Sequence, residues 1–339
     1  MKNRMVVARA PYRLSLFGGG TDFPGWFRGR GAAVIAVALD YWCWATVRWM
    51  PPFWEGSHKV SWRITEEPKS IAGIRNPIVR ETMRYLEYAD DLWVDIRHAG
   101  YFPHRSGMGA SSAFTVALYL ALARLKNPYE EVDDSRRAVA NAAIHIEREM
   151  MGDAGGWQDQ IMASYGALRH IRFWPDYNWV PGEWAAEGIP LSAEHRMEVE
   201  GRLMLFHTGV AREGDVAQES QDAIGRNGEL LERLASIERY AYRLLIDGEL
   251  ESFGRLMDDA WKVKREMAPG MSRPKIDLMY EEGLRAGAWG GKLCGAGGGG
   301  FLLFCVPKAR RRAVREAMKG AREVRVQFTH RGGDVVLDV

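Results

Sequence analysis

An α+β fold in two domains is what this sequence predicts, on three observations. Short alternating or apolar runs bounded by Gly, Pro or charged turns fill the first third. Helical periodicity then takes over. After a Pro- and Gly-rich stretch, a new strand-like run opens a second series of helical patterns that ends in another strand. At 339 residues the chain is too long for one ordinary small domain and short for three.

In order, "MVVARA" (5–10), "AAVIAVALD" (32–40), "YWCWATVRW" (41–49), "KVSWRI" (59–64) and "LWVDIRH" (92–98) read as strands. Helical spacing covers 111–125, 132–151 and 157–165, and "GALRHIRFW" closes the first half as a strand. The stretch 174–198 carries the Pro, Gly and polar residues of a linker, so the domains are expected to be 1–198 and 199–339. "GRLMLFHTGV" starts the second as a strand, helical patterns follow at 212–247, 250–267 and 274–286, and "GGKLCGAGGGGFLLFCV" joins a glycine loop to a strand. The basic run "KARRRAVREAMKGAREVRV" places Ala313, Val314, Ala317 and Met318 on one helical face, which makes it a solvated surface helix rather than a nucleic-acid patch.

Composition narrows the function. A formal charge of +2 supplies no field for nucleic acid or an acidic membrane. No run approaches the ~20 apolar residues of a membrane span, and the N-terminus lacks an apolar signal region. Cys43, Cys294 and Cys305 have neither zinc spacing nor the density of a disulfide framework, which points to a reducing cytoplasm. The eight histidines show no ligand spacing.

Three glycine loops carry the chemistry. In "PHRSGMGASSAF", Gly107 and Gly109 allow a tight turn, so that backbone N–H groups converge on an anion at a helix start containing Ser111 and Ser112. The lysine of a P-loop is missing. On this stretch alone, a glycine turn with serine caps is an equal reading. "APYRLSLFGGGTD" puts Arg13 on a strand leading to Gly18, Gly19 and Gly20, with Asp22 beyond. "KLCGAGGGGFLLF" again joins a glycine loop to an apolar strand.

Together the three loops resemble those of the GHMP kinases, the family of galactokinase, homoserine kinase, mevalonate kinase and phosphomevalonate kinase, in order and separation along essentially the whole chain. The stretches "FGGGTDFPGWF", "PPFWE", "RSGMGASSAFTV", "AIHIERE", "WQDQIMASYG", "LMLFHTGVAR" and "GKLCGAGGGGFLLF" look like the D-glycero-D-manno-heptose 7-phosphate kinase branch. That resemblance implies a first domain like ribosomal protein S5 domain 2 and a ferredoxin-like second domain. It also implies ATP and Mg²⁺, and transfer of phosphate to the anomeric C1 hydroxyl of a heptose 7-phosphate.

Matching the family motifs implies Asp159 as the catalytic carboxylate, holding or deprotonating the acceptor hydroxyl, with Arg13 beside it to offset developing negative charge. Gly107, Gly109, Ser111, Ser112, Gly295, Gly297 and Gly298 become the nucleotide cradle. Ser111 and Glu147 become the magnesium ligands. Gly19, Gly20, Thr21, Asp22 and Trp157 fall to the acceptor, the first two where galactokinases carry sugar-reading side chains, which would open space and free backbone N–H groups. Arg28, Arg30 and Arg212 are the basic residues available to a distal phosphate. Ala110 and the pair Gly156-Trp157 depart from the heptose pattern, the pair being closer to fucokinase-like enzymes. A kinase of a free sugar and a non-catalytic sugar or nucleotide sensor therefore stay open. The partners expected are a small sugar phosphate and ATP, with oligomeric state open.

Overall fold

The structure, a computed structural model, describes residues 4–51, 53, 56–103, 106–127, 135–175, 183–210 and 226–339. Two sheets organise it. The first is built on β1 (Met5–Phe17) and the 18-residue β2 (Ala32–Trp49), paired antiparallel. The runs 32–40 and 41–49, read as two strands, are this single β2. No turn residue interrupts them, and the strand changes partner instead.

Its second half pairs with β5 (Val94–Gly100), which is followed outward by β3 (Lys59–Ser61) and β4 (Thr65–Glu66). The first half of β2 pairs with β6 (Leu168–Phe173), itself paired to β7 (Trp184–Gly188). The burial pattern follows the partners. Residues 34–39 are buried without alternation, as expected where both faces of a sheet are covered, whereas Cys43, Ala45 and Val47 alternate with partly exposed neighbours.

Helix α1 (Pro24–Arg30) follows the first glycine loop and buries Trp26 and Phe27. Helix α2 (Pro77–Tyr85) starts at Asn76, whose side chain accepts the Val79 N–H. Helix α3 (Ala110–Lys126) packs against β1 and β2 and is buried around almost its whole circumference, which its unbroken apolar run requires. The helical pattern read over 132–151 is α4 (Arg136–Ile144) continued by a π-helical turn, His145–Met150; residues 132–134 lie outside the described residues. Helix α5 (Gln158–Tyr165) carries Asp159 in its first turn.

The second sheet is antiparallel, in the order β11 (Arg322–Val324), β8 (Leu203–His207), β10 (Phe301–Cys305), β9 (Gly290–Leu293). Helices α8 (Leu250–Met267), α9 (Pro274–Arg285) and α10 (Arg311–Ala317) flank it, over a core that includes Phe206, Trp261, Tyr280, Phe304 and Met318. Helix α7 (Gly228–Asp247) packs against β2 and α8 and realises the later part of the 212–247 pattern; 211–225 lie outside the described residues. On α10, Val314 is buried, as is Met318 just beyond it, but Ala313 is exposed, so the apolar face is narrower than the pattern suggests.

Helix α6 (Ala193–Arg202) runs across the 198/199 division, and β12 (Asp334–Asp338) returns to pair with β1. We propose the two domains as 1–198 and 199–339, with the last strand of the second completing the sheet of the first. Among the described residues no helix is long and apolar enough to cross a membrane.

Candidate active site

Arg13 is aimed by an irregularity in β1. The register against β2 shifts between Pro11 and Arg13 and again between Ser15 and Phe17, and the Arg13 N–H leaves the ladder to bond the Met108 carbonyl at 3.0 Å. The side chain, 5% exposed, then reaches Asp159 in a two-armed pair, Nε to Oδ1 at 2.7 Å and Nη2 to Oδ2 at 2.6 Å. Its remaining nitrogen donates to the Gly107 carbonyl at 2.6 Å. One guanidinium thus fixes the carboxylate and the first turn of the glycine loop together.

Gly109 caps α3 in the left-handed conformation, φ 74°, and a Cβ there would sit 3.2 Å from Arg13 Cγ and 3.6 Å from Asp159 Oδ2. The N-cap of α3 is this Gly109, which offers no side-chain cap, so Ser111 and Ser112 are not the serine caps of the alternative reading. The third loop closes over the second: a Cβ on Gly107 would lie 2.4 Å from the Cys294 carbonyl oxygen, and one on Gly300 2.4 Å from that of Ser106. Lys264 Nζ holds the Gly295 carbonyl at 2.8 Å, and the Gly298 N–H bonds Met271 at 3.1 Å.

Glu147 sits in the π-helical turn, fully buried. Ser112 Oγ donates to it at 2.8 Å, Thr115 Oγ1 at 2.7 Å, and Gln160 Nε2 reaches the same oxygen as Ser112. Burial pushes this carboxyl above the usual range, against the pull of Arg148 and the three side-chain donors. The structure therefore brings Ser112 to Glu147, whereas Ser111, half-buried one position earlier, offers its carbonyl to Thr115. The donors are hard oxygens of the kind Mg²⁺ takes. Among the described residues no group of three His, Cys, Asp or Glu gathers to hold a metal.

Asp22 is a brace. It is 1% exposed, accepts the Gly20 N–H at 2.9 Å and the Gln158 N–H at 3.2 Å, and its carbonyl takes the Trp157 N–H at 3.1 Å. Burial raises its pKa above the usual carboxylate range; the two N–H bonds oppose that rise and the neighbouring Asp159 adds to it. The expectation that Gly20 presents a free N–H is thus corrected, since Asp22 has it. Thr21, also buried, turns inward to the Gly18 carbonyl at 2.8 Å. A Cβ on Gly156 would fall 1.8 Å from Asp22 Oδ2, which explains glycine at that position.

Trp157 packs edge-on against Phe27, is nearly buried, and has an indole N–H without an acceptor among the described residues. Arg28 lies 5.6 Å over its ring and pairs with Glu183 at 3.1 Å; Arg30 sits on Trp26 instead. Arg212 lies outside the described residues. Sequence reasoning passed over Arg148, which ties down the Gly156 and Asp153 carbonyls ahead of Asp159. It also passed over Thr115, whose spacing from Ser112 puts both on one helix face.

Residues 77–167 match the GHMP kinases N terminal domain family and residues 241–322 the GHMP kinases C terminal family. The chain belongs to the GHMP kinases. It is accordingly an ATP-dependent phosphotransferase acting on a small molecule. A D-glycero-alpha-D-manno-heptose 7-phosphate kinase of Campylobacter jejuni is 25% identical, the match covering 93% of this chain and 94% of the other. A mevalonate kinase of Methanothermobacter thermautotrophicus is 30% identical over 74% of this GHMP kinase and 77% of the relative. A bifunctional fucokinase/GDP-fucose pyrophosphorylase of Arabidopsis thaliana is 26% identical over 91% of it, and the chain spans 30% of that protein's length. The fold matches the crystal structure of a D-glycero-D-manno-heptose 1-phosphate kinase from Bacteroides thetaiotaomicron with a TM-score of 0.77, at 19% identity and covering 98% of this chain and 99% of the other.

Proposed function

We propose that this GHMP kinase transfers the γ-phosphoryl group of ATP to the C1 hydroxyl of D-glycero-D-manno-heptose 7-phosphate. The observation that carries a transfer site is the two-armed Arg13–Asp159 pair set against Gly109 at the start of α3. Phosphoryl transfer asks the protein for alignment and charge stabilisation more than covalent chemistry. Asp159 aligns the acceptor hydroxyl and takes its proton as the oxygen–phosphorus bond forms and the bond to ADP breaks. Arg13 fixes Asp159 and offsets charge on the moving phosphoryl group. Gly107, Gly109, Ser111, Ser112, Gly295, Gly297 and Gly298 surround the nucleotide phosphates. Ser111 and Glu147, whose oxygens also take the Ser112, Thr115 and Gln160 donors, would hold Mg²⁺, which supplies charge neutralisation on the phosphates when bound.

On the acceptor side, Gly19 and Gly20 leave room for a long sugar, Thr21 and Asp22 shape the loop, and Trp157 walls the site. Arg28, which lies over the Trp157 ring, and Arg212 are the basic residues proposed to meet a distal phosphate. The heptose kinase relative supports the choice of sugar. Gly156-Trp157 and the fucokinase relative favour a second reading, a kinase of a free sugar such as fucose. The deciding experiment is ADP release across heptose 7-phosphate, fucose, galactose and mevalonate, with phosphorus NMR of the product. A kcat/KM for the heptose phosphate at least ~10-fold above the others, and an anomeric phosphate, are expected. Equal turnover of fucose would hand the site to the second reading.

A further inference from the structure

Lys292 lies on β9, directly before the third glycine loop, and is buried to 5% exposure. Its Nζ crosses the seam between the two sheets to the Leu16 carbonyl at 3.2 Å, just ahead of the first glycine loop. That carbonyl is the acceptor the structure gives it, for three donors. The charged groups that act on it are mostly of its own sign. Lys264 stands on α8 with its Nζ on Gly295, and Arg13 stands on β1 with its charge committed to Asp159.

Among the described residues the other elements packed against β9 bring no counter-ion. Just past the end of β9 the next side chain on that face is Cys294, a thiol that burial keeps protonated. From β10 comes the buried thiol of Cys305. From α9 comes the Tyr280 hydroxyl, which bonds Asp258 and the Gly291 carbonyl, and Asp258 is itself paired with Lys262. Three cations thus flank the seam where Gly107 meets Cys294, with Asp159 as the carboxylate among them. A buried ammonium in that setting lacks an anion. The anion a kinase brings there is polyphosphate.

We infer that Lys292 is a positioning residue of the nucleotide site that takes up a proton when polyphosphate binds between the second and third glycine loops, an inference that rests on reading those loops as the nucleotide site. In the free protein burial, then Lys264 and Arg13, push its amine down to about 7, so above neutrality the group is largely the neutral amine. A bound polyphosphate raises that value. Between the two values binding converts –NH₂ to –NH₃⁺ with a proton from the buffer, and the charged amine draws the loop onto the phosphates. The sign follows: the contribution to affinity is complete below about 7 and is lost as pH rises through the bound-state value.

The test is calorimetry of ADP binding to the full chain at pH 6 and pH 8, in buffers of different ionisation enthalpy. The parent should take up close to zero protons through this group at pH 6 and up to about 0.9 at pH 8, where that fraction is unprotonated in the free protein. Lys292→Met should remove the uptake at pH 8 and weaken binding at pH 6. Lys292→Arg, always charged, should bind without uptake and with little change between the two pH values. A parent that takes up no proton at pH 8 while binding ADP overturns the inference without any variant. So does an Arg variant whose uptake equals the parent's. Failure of ADP to bind at all would instead sink the nucleotide-site reading, and this inference with it.

Discussion

Among the described residues the side-chain partner of Asp159 is Arg13. Asp159→Asn should keep most of the geometry and lower kcat by ~10²-fold or more with nucleotide affinity little changed, because the carboxylate acts on the acceptor in the transition state. Steady-state kinetics alongside nucleotide titration checks it, and near-normal kcat would remove Asp159 from the reaction. Gly156 tests the brace behind it. Gly156→Ala forces a methyl into Asp22, and overpacking of that kind costs ~1–3 kcal/mol. Urea unfolding should show that loss, and kcat should fall with it because Asp22 holds the first N–H of the helix bearing Asp159. Unchanged stability and kcat would mean the loop has room the brace denies it.

Among the elements, α3 divides its two serines between different duties. Ser112→Ala removes one of the two donors on Glu147 Oε2 and leaves Gln160 there, a loss of ~0.5–1.5 kcal/mol for one hydrogen bond. Ser111→Ala should leave thermal stability near the parent and weaken ATP binding in the presence of Mg²⁺. Measuring both properties on both variants separates the roles, and matching profiles would refute the division. How much of this was legible in the sequence depends on the range of the interaction. The glycine loops, Arg13, Asp159 and Glu147 announce themselves in contiguous motifs. That Ser112 rather than Ser111 meets Glu147 depends on the rotation of α3 against a π-helical turn, which adds a residue to the helical period and cannot be read from apolar spacing. Lys292 escaped for another reason: a lysine in a strand reads as solvated until the facing sheet is known. The undivided β2 was hidden because a strand that changes partners needs no turn.

Across the whole molecule the three thiols report on burial. Cys43, Cys294 and Cys305 are all buried and unpaired, and burial pushes them up to about 12, 11 and 12. The native protein should therefore expose no thiol to a disulfide reagent at pH 8, and the denatured chain three. Rapid native labelling of Cys294 would show that the third glycine loop opens readily, since that residue touches Gly107 across the seam. The seam explains why a kinase of this build needs both sheets. Arg13 comes from the first, Asp159 from the helix α5 packed on it, and the closing loop and Lys292 from the second.

The pairing of β12 with β1 also bears on the order of synthesis. Residues 6–9 of β1 take partners at 334–338, so one side of that strand stays open until translation has passed residue 338. At ~5–20 residues per second that is a wait of roughly 15–60 s after β2 is complete. Through that interval a nascent chain would carry an unpaired, largely apolar strand edge, the kind of surface that recruits chaperones or neighbouring chains. A ribosome pause before residue 334 would prolong the exposure.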